Sequence, residues 1–353
     1  MNTPMVAITG MNRGENPQPG YAVACSLRRK YPDMKIVGLI YDAMESGIFA
    51  TDGPDWAYTI PYPTAGSKAL LERLDFIKQR HDFSILIPTL DTEIELMIRL
   101  QPELESRGIQ CFLPTLESFQ NRAKSQLSKL CEACDCKTPL TKLTHDLNEA
   151  KDAADAIEYP VMIKGQFYDA RKVQNETELT SAFQETIHDW GTPVLVQESI
   201  SGAELNVLGV GNGLGGVTGL CSVRKTILSS KGKGISAIIV QEPRLESIAN
   251  RIIAELRWRG PFELEFIHDE ISDAYMLIEM NPRFPAWVDF PSALGLNFPA
   301  QIISLLTQGN LEPFCPLSPG WFYLRHQVET IGSLSELSQL MTEGIWEQKN
   351  KPL

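Results

Sequence analysis

The first 115 residues of the 353-residue chain alternate short apolar runs with longer amphipathic stretches, and this alternation constrains the fold more than any other feature. The apolar runs have the character of buried strands, and they cover Met5–Thr9, Ile36–Tyr41, Ser84–Ile87 and Ile109–Leu113. Between them, helical periodicity extends over Tyr21–Lys30, Ser67–Arg80 and Glu93–Ser106. Strands that are separated by helices imply βαβ crossovers, so the sequence predicts an open parallel sheet.

The turn after the first apolar run contains Gly10 and Gly14 but departs from the G-x-G-x-x-G fingerprint of dinucleotide-binding folds. Pro17 and Pro19 interrupt the place where the following helix should begin. The pattern therefore favours a structural or substrate-binding α/β domain over one that binds a nicotinamide cofactor.

A different pattern begins after Pro114. Predicted helices cover Leu116–Cys134, Leu147–Ile157, Glu178–His188, Leu245–Arg257 and Phe298–Leu306. Predicted strands, mostly antiparallel from Glu204 onward, cover Pro160–Lys164, Pro193–Glu198, Glu204–Gly211, Val217–Arg224, Ile235–Val240, Glu263–His268 and Tyr275–Met280. We therefore expect an α/β domain followed by α+β modules and a small strand-helix tail.

The charge balance limits the classes of partner. The chain has 44 Asp and Glu residues against 32 Lys and Arg, a formal net charge of −12, and an acidic surface repels nucleic-acid phosphates. No apolar run approaches the roughly 18 residues of a membrane span, and the first residues lack a signal-peptide pattern. Seven irregularly spaced cysteines fit reduced thiols. We expect a cytoplasmic protein with no nucleic-acid or membrane partner.

Two predicted strands near the end of the α+β region carry alternating acidic residues. Glu265 lies in the first strand, and Glu279 and Asn281 share a face of the second. If the connecting turn is centred near Ser272, Glu265 pairs across from Glu279. Because like charges directly opposite each other are destabilising, a cation between them is expected, and oxygen ligands suit Mg²⁺. The alternative is that these residues form the solvated face of an ordinary hairpin.

The segment Glu279-Met-Asn-Pro-Arg283 resembles the E-x-N-P-R signature of ATP-grasp enzymes, and it is preceded by a strand that carries Glu265. The resemblance extends from the first strand to about residue 310 and includes a pre-ATP-grasp domain like those of carbamoyl-phosphate synthase and biotin carboxylase. It implies that Glu265, Glu279 and Asn281 bind Mg²⁺ (or Mn²⁺). It also implies that Arg283 neutralises charge on the γ-phosphate or on an acyl-phosphate.

The same resemblance implies a nucleotide-binding set. Lys124 and Lys164 occupy positions from which lysines of the family reach the phosphates of ATP. The segment 194–204 resembles the hinge between the two lobes, where the backbone near Gln197, Glu198 and Ile200 pairs with adenine. Glu204 then accepts hydrogen bonds from the ribose hydroxyls, and Lys225 completes the set.

The chain departs from the family pattern after Lys164, where a glycine-rich phosphate loop is expected. Residues 165–173 contain one glycine, so Arg171 or Lys172 is a candidate to supply charge in place of backbone amides. The basic segment 229–234 is a second candidate, or an ordinary hairpin turn. Bulky side chains after Arg283, notably Trp287 and Phe290, predict a reshaped acceptor pocket, or simply core packing.

Asp91, Glu93 and Glu95 follow the strand at Ser84–Ile87, at the sheet edge where open α/β folds place ligands. They face a substrate, or Glu93 and Glu95 only favour the positive end of a helix.

The family resemblance implies four segments: a pre-ATP-grasp domain (1–115), a small ATP-grasp lobe with a linker helix (116–196), a large lobe with the metal-binding hairpin (197–312) and a tail (313–353). The implied activity is that of an ATP-dependent carboxylate–amine ligase of the acid–amino acid type, which forms an amide through an acyl-phosphate and releases ADP and phosphate. Its partners are a small carboxylate and an amine, and family analogy suggests a homodimer. The alternatives are phosphorylation of bicarbonate or carbamate, and a non-catalytic nucleotide-binding protein.

Overall fold

The computed structural model describes residues 4–165, 170–229, 234–309 and 315–348. Its strands are β1 (Val6–Thr9), β2 (Ile36–Ile40), β3 (Trp56–Thr59), β4 (Ile85–Ile87), β5 (Thr141–Thr144), β6 (Val161–Lys164), β7 (Ala170–Val173), β8 (Val194–Glu198), β9 (Ala203–Asn212), β10 (Val217–Leu228), β11 (Gly234–Ile239), β12 (Arg259–Asp269), β13 (Ala274–Asn281), β14 (Phe322–Leu324) and β15 (Ile345–Glu347). Its α-helices are α1 (Gly20–Lys30), α2 (Ser67–Lys78), α3 (Asp91–Arg99), α4 (Gln101–Ser106), α5 (Leu116–Asn121), α6 (Leu127–Ala133), α7 (Leu147–Ile157), α8 (Glu176–Trp190), α9 (Pro243–Leu256), α10 (Asp289–Ala293), α11 (Phe298–Thr307) and α12 (Leu334–Glu343).

The N-terminal sheet has the strand order β15-β3-β2-β1-β4, and β1 to β4 run parallel, as the alternating pattern predicts. The predicted strand at Ile109–Leu113 is wrong, because in this segment only Gln110 bridges to Ile85 of β4. The carbonyls of Cys111 and Leu113 instead accept hydrogen bonds from Arg259, at 3.3 and 3.1 Å, which draws the segment away from the ladder.

Two predicted helices are interrupted. The stretch Glu93–Ser106 divides into α3 and α4 because Pro102, in the first turn of α4, has no N–H to continue the ladder. The stretch Leu116–Cys134 divides at Ala123, whose backbone is extended, and a short 3₁₀ turn at Lys124–Gln126 precedes α6. Lys124 is therefore not part of a long helix. It lies in a turn whose side chains reach strand β13.

A second sheet has the order β5-β8-β6-β7 and is covered by α7 and α8. Its core is separate from the others and is made mainly of aliphatic side chains, including Ala154, Ile163 and Leu179, together with Phe183. This small lobe is therefore an independently packed unit.

A six-stranded antiparallel sheet has the order β13-β12-β9-β10-β11-β14. Buried side chains of this sheet, such as Leu264, belong to the same continuous core as side chains of the N-terminal sheet, such as Leu39. The two sheets meet closely at Gly260, which has φ +113° and whose Cβ position is 2.6 Å from the carbonyl oxygen of Phe112. Only glycine fits this approach, and it holds the start of β12 against the N-terminal domain.

The last residues of the described chain join both larger sheets. Strand β14 pairs with β11, and β15 runs antiparallel to β3 of the N-terminal sheet. Residues 315–348 thus contribute one strand to the six-stranded sheet and one to the N-terminal sheet. No helix in the described ranges is long and apolar enough to span a bilayer.

Candidate active site

The hairpin of β12 and β13 places Glu265 directly opposite Glu279 and Glu263 opposite Asn281. The predicted pairing of Glu265 with Glu279 is confirmed. The register nevertheless shifts beyond Glu265, where Phe266 pairs with Leu277. The turn is therefore centred half a residue before Ser272, and a bulge at Ile278 absorbs the difference. Without the bulge Glu265 would face Ile278, and Glu279 would point to the other side of the sheet.

Each of the opposed carboxylates is neutralised by a lysine. Lys225 Nζ lies 3.0 Å from Glu265 Oε2 and 2.9 Å from Glu204 Oε2, while Lys124 Nζ lies 3.0 Å from Glu279 Oε1. Burial alone would lower the pKa of Lys225, but the carboxylates of Glu265 and Glu204 outweigh it and raise that pKa. Lys225 is therefore a fixed positive charge that bridges the carboxylates of Glu204 and Glu265.

Lys164, at the end of β6, faces the same site from the small lobe. Burial and the neighbouring Lys124 charge lower the pKa of Lys164 to about 8, and the carboxylates of Glu279, Glu265 and Glu204 only partly compensate. Two lysines that repel each other are stabilised by an anion between them. This pair therefore favours an anionic ligand.

The donor set suits a divalent cation. Glu265, Glu279 and Asn281 offer two carboxylates and one amide oxygen, and Mg²⁺ is commonly held by one or two carboxylates together with water and phosphate oxygens. Asn281 Nδ2 now donates to Glu265 Oε1 at 2.9 Å, so the amide lies beside the carboxylates. Within the described ranges, no cluster of three or more His, Cys, Asp or Glu side chains is arranged to hold a metal. The oxygen set at this face is therefore two carboxylates and the Asn281 amide.

Glu263 lies in the same cluster, although the sequence patterns did not single it out. Its side chain is buried, and its carboxylate accepts hydrogen bonds from Asn206 Nδ2 (2.7 Å), Trp287 Nε1 (2.9 Å) and Asn281 Nδ2 (3.2 Å). Burial, and then the Glu265 charge, raise the pKa of Glu263. The sequence contains an indication of this position, because residues two apart on a strand share a face and Glu263 precedes Glu265 by two.

Arg283 is positioned by the N-terminal domain. Its Nε lies 2.9 Å from Asp91 Oδ2, at the start of α3, and its Nη1 lies 3.5 Å from Glu263 Oε2. The structure thus separates the three acids of this segment. Asp91 contacts the site, whereas the buried Glu93 accepts hydrogen bonds from the backbone of Thr89 and Leu90, and Glu95 pairs with Arg99 on the surface.

The predicted hinge residues lie along the neighbouring edge. Gln197 and Glu198 are within the β8 ladder, where Gln197 Nε2 donates to Thr141 Oγ1 and the Glu198 N–H donates to the Leu140 carbonyl. Ile200 is half-buried and lies beyond the last residue of β8. Glu204, near the start of β9, points to Lys225. The structure therefore brings Glu204 to the acidic face, and of the three backbone candidates it places only Ile200 outside the ladder.

The candidate phosphate loops are only partly described. Ala170–Val173 forms β7, paired with β6, so part of the presumed loop is a strand. Arg171 forms an ion pair with Glu185 of α8, and Lys172 is exposed. Residues 166–169 and 230–233, which include Lys231 and Lys233, lie outside the described residues.

The acceptor segment after Arg283 borders an open cleft of about 300 Å³. Trp287 and Phe290 form one wall, and Tyr323 of β14 and Arg325, which follows β14, form the other. The cleft reaches the acidic face through Trp287, whose indole N–H donates to Glu263.

Comparisons with known proteins agree with this geometry. The family described as "Carbamoyl-phosphate synthase L chain, ATP binding domain" matches residues 121–288. This match includes the segment 279–283, whose sequence resembles the E-x-N-P-R signature of ATP-grasp enzymes. It is 28% identical over 236 residues to the carbamoyl phosphate synthase large chain of Pyrococcus furiosus, a match that covers 62% of this chain and 22% of that protein. A second match, 24% identical over 192 residues, is to the arginine-specific large chain of Lactiplantibacillus plantarum and covers 50% of this chain and 18% of that one. The chain thus spans about a fifth of the length of these relatives.

Solved structures share the fold. The biotin carboxylase domain of Hydrogenobacter thermophilus 2-oxoglutarate carboxylase is similar with a TM-score of 0.67 and 20% identity, over 88% of this chain and 71% of that one. An L-amino acid ligase from Bacillus licheniformis is similar with a TM-score of 0.63 and 15% identity, over 87% and 75% of the two chains. The predicted fold class, a parallel-sheet domain followed by a two-lobed ATP-grasp fold, is confirmed.

Proposed function

We propose that this ATP-grasp protein is an ATP-dependent carboxylate–amine ligase. The observation that carries the proposal is the convergence of Glu265, Glu279 and Asn281 on one face, with Lys124 and Lys164 beside them. Opposed carboxylates suit a metal, and the lysine pair suits phosphates. No other group of described residues combines both features.

In this proposal Glu265, Glu279 and Asn281 hold Mg²⁺, or Mn²⁺, which neutralises phosphate charge when bound. Lys124 and Lys164 bind the phosphates of ATP, and Lys225 keeps Glu204 and Glu265 in place. Glu204 accepts hydrogen bonds from the ribose hydroxyls. The backbone beyond β8, near Ile200, borders adenine. A similar biotin carboxylase domain was solved with MgADP, which supports this choice of nucleotide and metal.

The reaction proceeds in two displacements. A carboxylate oxygen attacks the γ-phosphorus, and the bond to the ADP oxygen breaks. The amine then attacks the acyl carbon, phosphate leaves, and the amine loses a proton. Arg283, held by Asp91, is placed to stabilise the charge of the acyl-phosphate, since such chemistry depends on positioning and charge.

A second candidate is phosphorylation of bicarbonate or carbamate, because the curated relatives are carbamoyl phosphate synthases. We favour an acid–amino acid ligase because an aromatic cleft of about 300 Å³ adjoins the site, which is more room than bicarbonate needs. The Hydrogenobacter domain was solved as a dimer, and we extend that state to this protein, to be checked by sedimentation. Seven free cysteines support a reducing, cytoplasmic location.

The test measures ADP and phosphate release from Mg-ATP with amino acids and small carboxylates, added singly and in pairs, together with product mass. A ligase requires both an acid and an amine, and its product has their summed mass less one water. Release with bicarbonate alone would support the second candidate, and ATP binding without release under any condition would indicate a non-catalytic protein.

Two variants link turnover to the proposed metal ligands. Glu279→Gln and Asn281→Ala should each lower Mg²⁺-dependent turnover at least about 100-fold and leave the fold intact. Glu270→Gln, in the exposed turn of the same hairpin, is the matched control. Folded Glu279 and Asn281 variants with full ATP consumption would refute the metal assignment.

A further inference from the structure

The cleft beside the acidic face has features that the proposed chemistry does not explain. We call it the aromatic cleft and define it by Trp287, Phe290, Tyr323, Arg325 and His326, with Asp289 at its edge. The rings of Phe290 and Tyr323 meet edge to face, with centroids 5.4 Å apart. These rings and Trp287 give the cleft apolar walls, which suit an aliphatic or aromatic group.

The two charged residues of the aromatic cleft, Asp289 and Arg325, differ in whether an ion-pair partner neutralises them. Asp289 is neutralised by Arg29, whose Nε and Nη2 each lie 2.8 Å from its carboxylate oxygens. Arg325, by contrast, is half-buried, and among the described residues no oxygen forms a hydrogen bond or ion pair with its guanidinium. An unpaired guanidinium beside apolar walls favours a ligand that brings its own carboxylate, because the planar fork binds carboxylates at two points.

The aromatic cleft is continuous with the catalytic face. Tyr323 Oη and Lys225 Cδ lie 3.3 and 3.7 Å from the Cβ position of Gly234, so both side chains border this glycine, and Lys225 in turn pairs with Glu265. Trp287 contacts Glu263 from the other wall. A ligand in the cleft therefore lies next to the proposed metal ligands.

We propose that the aromatic cleft binds the amine substrate, and that this substrate is an α-amino acid with an apolar side chain whose carboxylate is held by Arg325. The inference rests on the proposed ligase function. A carboxylate engaged by a guanidinium is not available for phosphorylation, so a ligand held in this way presents its neighbouring amine. Strand β14 and the residues that follow it thus determine specificity for the amine substrate. They lie far in sequence from the nucleotide-binding elements.

The test is calorimetric titration of L-phenylalanine and L-leucine into the full chain with Mg²⁺ and a non-hydrolysable ATP analogue. Phenethylamine, which lacks the carboxylate, is the comparison ligand. Arg325→Gln should raise the Kd of the preferred amino acid at least 10-fold, as for a lost charge-assisted hydrogen bond, and leave the Kd of the nucleotide unchanged. Arg325→Lys should recover part of the loss. Arg224→Gln removes an exposed arginine charge from strand β10 of the same sheet and should have no effect.

Three outcomes would overturn the inference: neither amino acid binds, phenethylamine binds the unaltered protein as tightly as L-phenylalanine, or a folded Arg325→Gln variant binds both amino acids normally. Failure of the ligase proposal has a different signature. In that case amino-acid binding depends on Arg325, but no amide forms with any acid.

Discussion

Lysines neutralise the carboxylates on one face of the six-stranded sheet. Each of these carboxylates is a proposed metal or nucleotide ligand. Glu265 and Glu204 share Lys225, and Glu279 is paired with Lys124. Lys164 differs, because burial and the Lys124 charge leave its pKa near 8. At the residue scale, Lys164 is therefore the group whose charge responds to ligand binding.

Nucleotide affinity should fall as pH rises through about 8. The pKa of Lys164 is depressed, so the protonated amine that attracts phosphate prevails below that pH and is lost above it. Above pH 8, Mg-ATP binding should take up a proton, which calorimetry in buffers of different ionisation enthalpy measures. Lys164→Arg should abolish the pH step because arginine stays charged. An unchanged pH profile in that variant would show that Lys164 is not the titrating group.

Trp287 combines two roles that substitutions can separate. Trp287→Phe keeps an apolar wall but removes the N–H that donates to the buried Glu263 carboxylate, so it should lower the free energy of unfolding by about 1–3 kcal/mol. Trp287→Ala should additionally change relative rates across substrates more than it changes the KM for ATP. Urea unfolding and a rate panel check both. If Trp287→Ala only destabilises, with unchanged relative rates, the residue is core packing.

At the scale of elements, helix α3 connects the N-terminal sheet to the catalytic face. Its first residue, Asp91, holds Arg283, and its buried Glu93 fixes the loop before the helix through two backbone N–H groups. Burial raises the pKa of Glu93, which its hydrogen bonds partly offset. The N-terminal domain thus contributes to the site by orienting a side chain of the loop that follows β13.

Asp91→Asn should lower kcat roughly 10- to 100-fold with little change in the KM for ATP, since a misplaced arginine affects the transition state more than nucleotide binding. Glu95→Gln is a matched control on the same helix, because Glu95 pairs with Arg99 on the surface. Steady-state kinetics with the identified acid and amine provide the measurement. Equal kcat values for both variants would remove Asp91 from a positioning role.

At the scale of the whole molecule, two of the three sheets share a core, whereas the four-stranded lobe has its own. The C-terminal residues add β14 to the six-stranded sheet and β15 to the N-terminal sheet. Trp346 of β15 and Leu340 of α12 are almost fully buried. The C-terminal residues therefore connect the two larger sheets. The small lobe, which carries Lys164, has a core of its own.

Trp346→Ala should lower the free energy of unfolding by about 3–5 kcal/mol, because it removes a large buried side chain from the N-terminal sheet. Leu334→Ala, at a position 82% exposed, should change it by less than about 0.5 kcal/mol. Urea unfolding monitored by circular dichroism compares the two. A small effect at Trp346 would show that the N-terminal sheet does not depend on the tail.

The sequence by itself determined several of the helices and strands and the pairing of the acidic hairpin. Hydrophobic periodicity is a local property, so α7 was predicted with its observed bounds, and Glu265 was placed opposite Glu279 from spacing alone. The assignments of Lys124, Lys164, Gln197, Glu198, Ile200, Glu204, Lys225 and Arg283 to ATP and catalysis remain predictions from the family resemblance.

Only the tertiary structure decided which distant residues meet. The bulge at Ile278, the burial of Glu263, the contact between Asp91 and Arg283 and the position of Arg325 all depend on how separate sheets pack. The absence of the predicted strand at Ile109–Leu113 has the same cause, because carbonyls of this segment accept hydrogen bonds from Arg259, which is remote in sequence. Local patterns specify strands and helices, whereas electrostatic partners and the walls of a cleft are supplied by residues far apart in the chain.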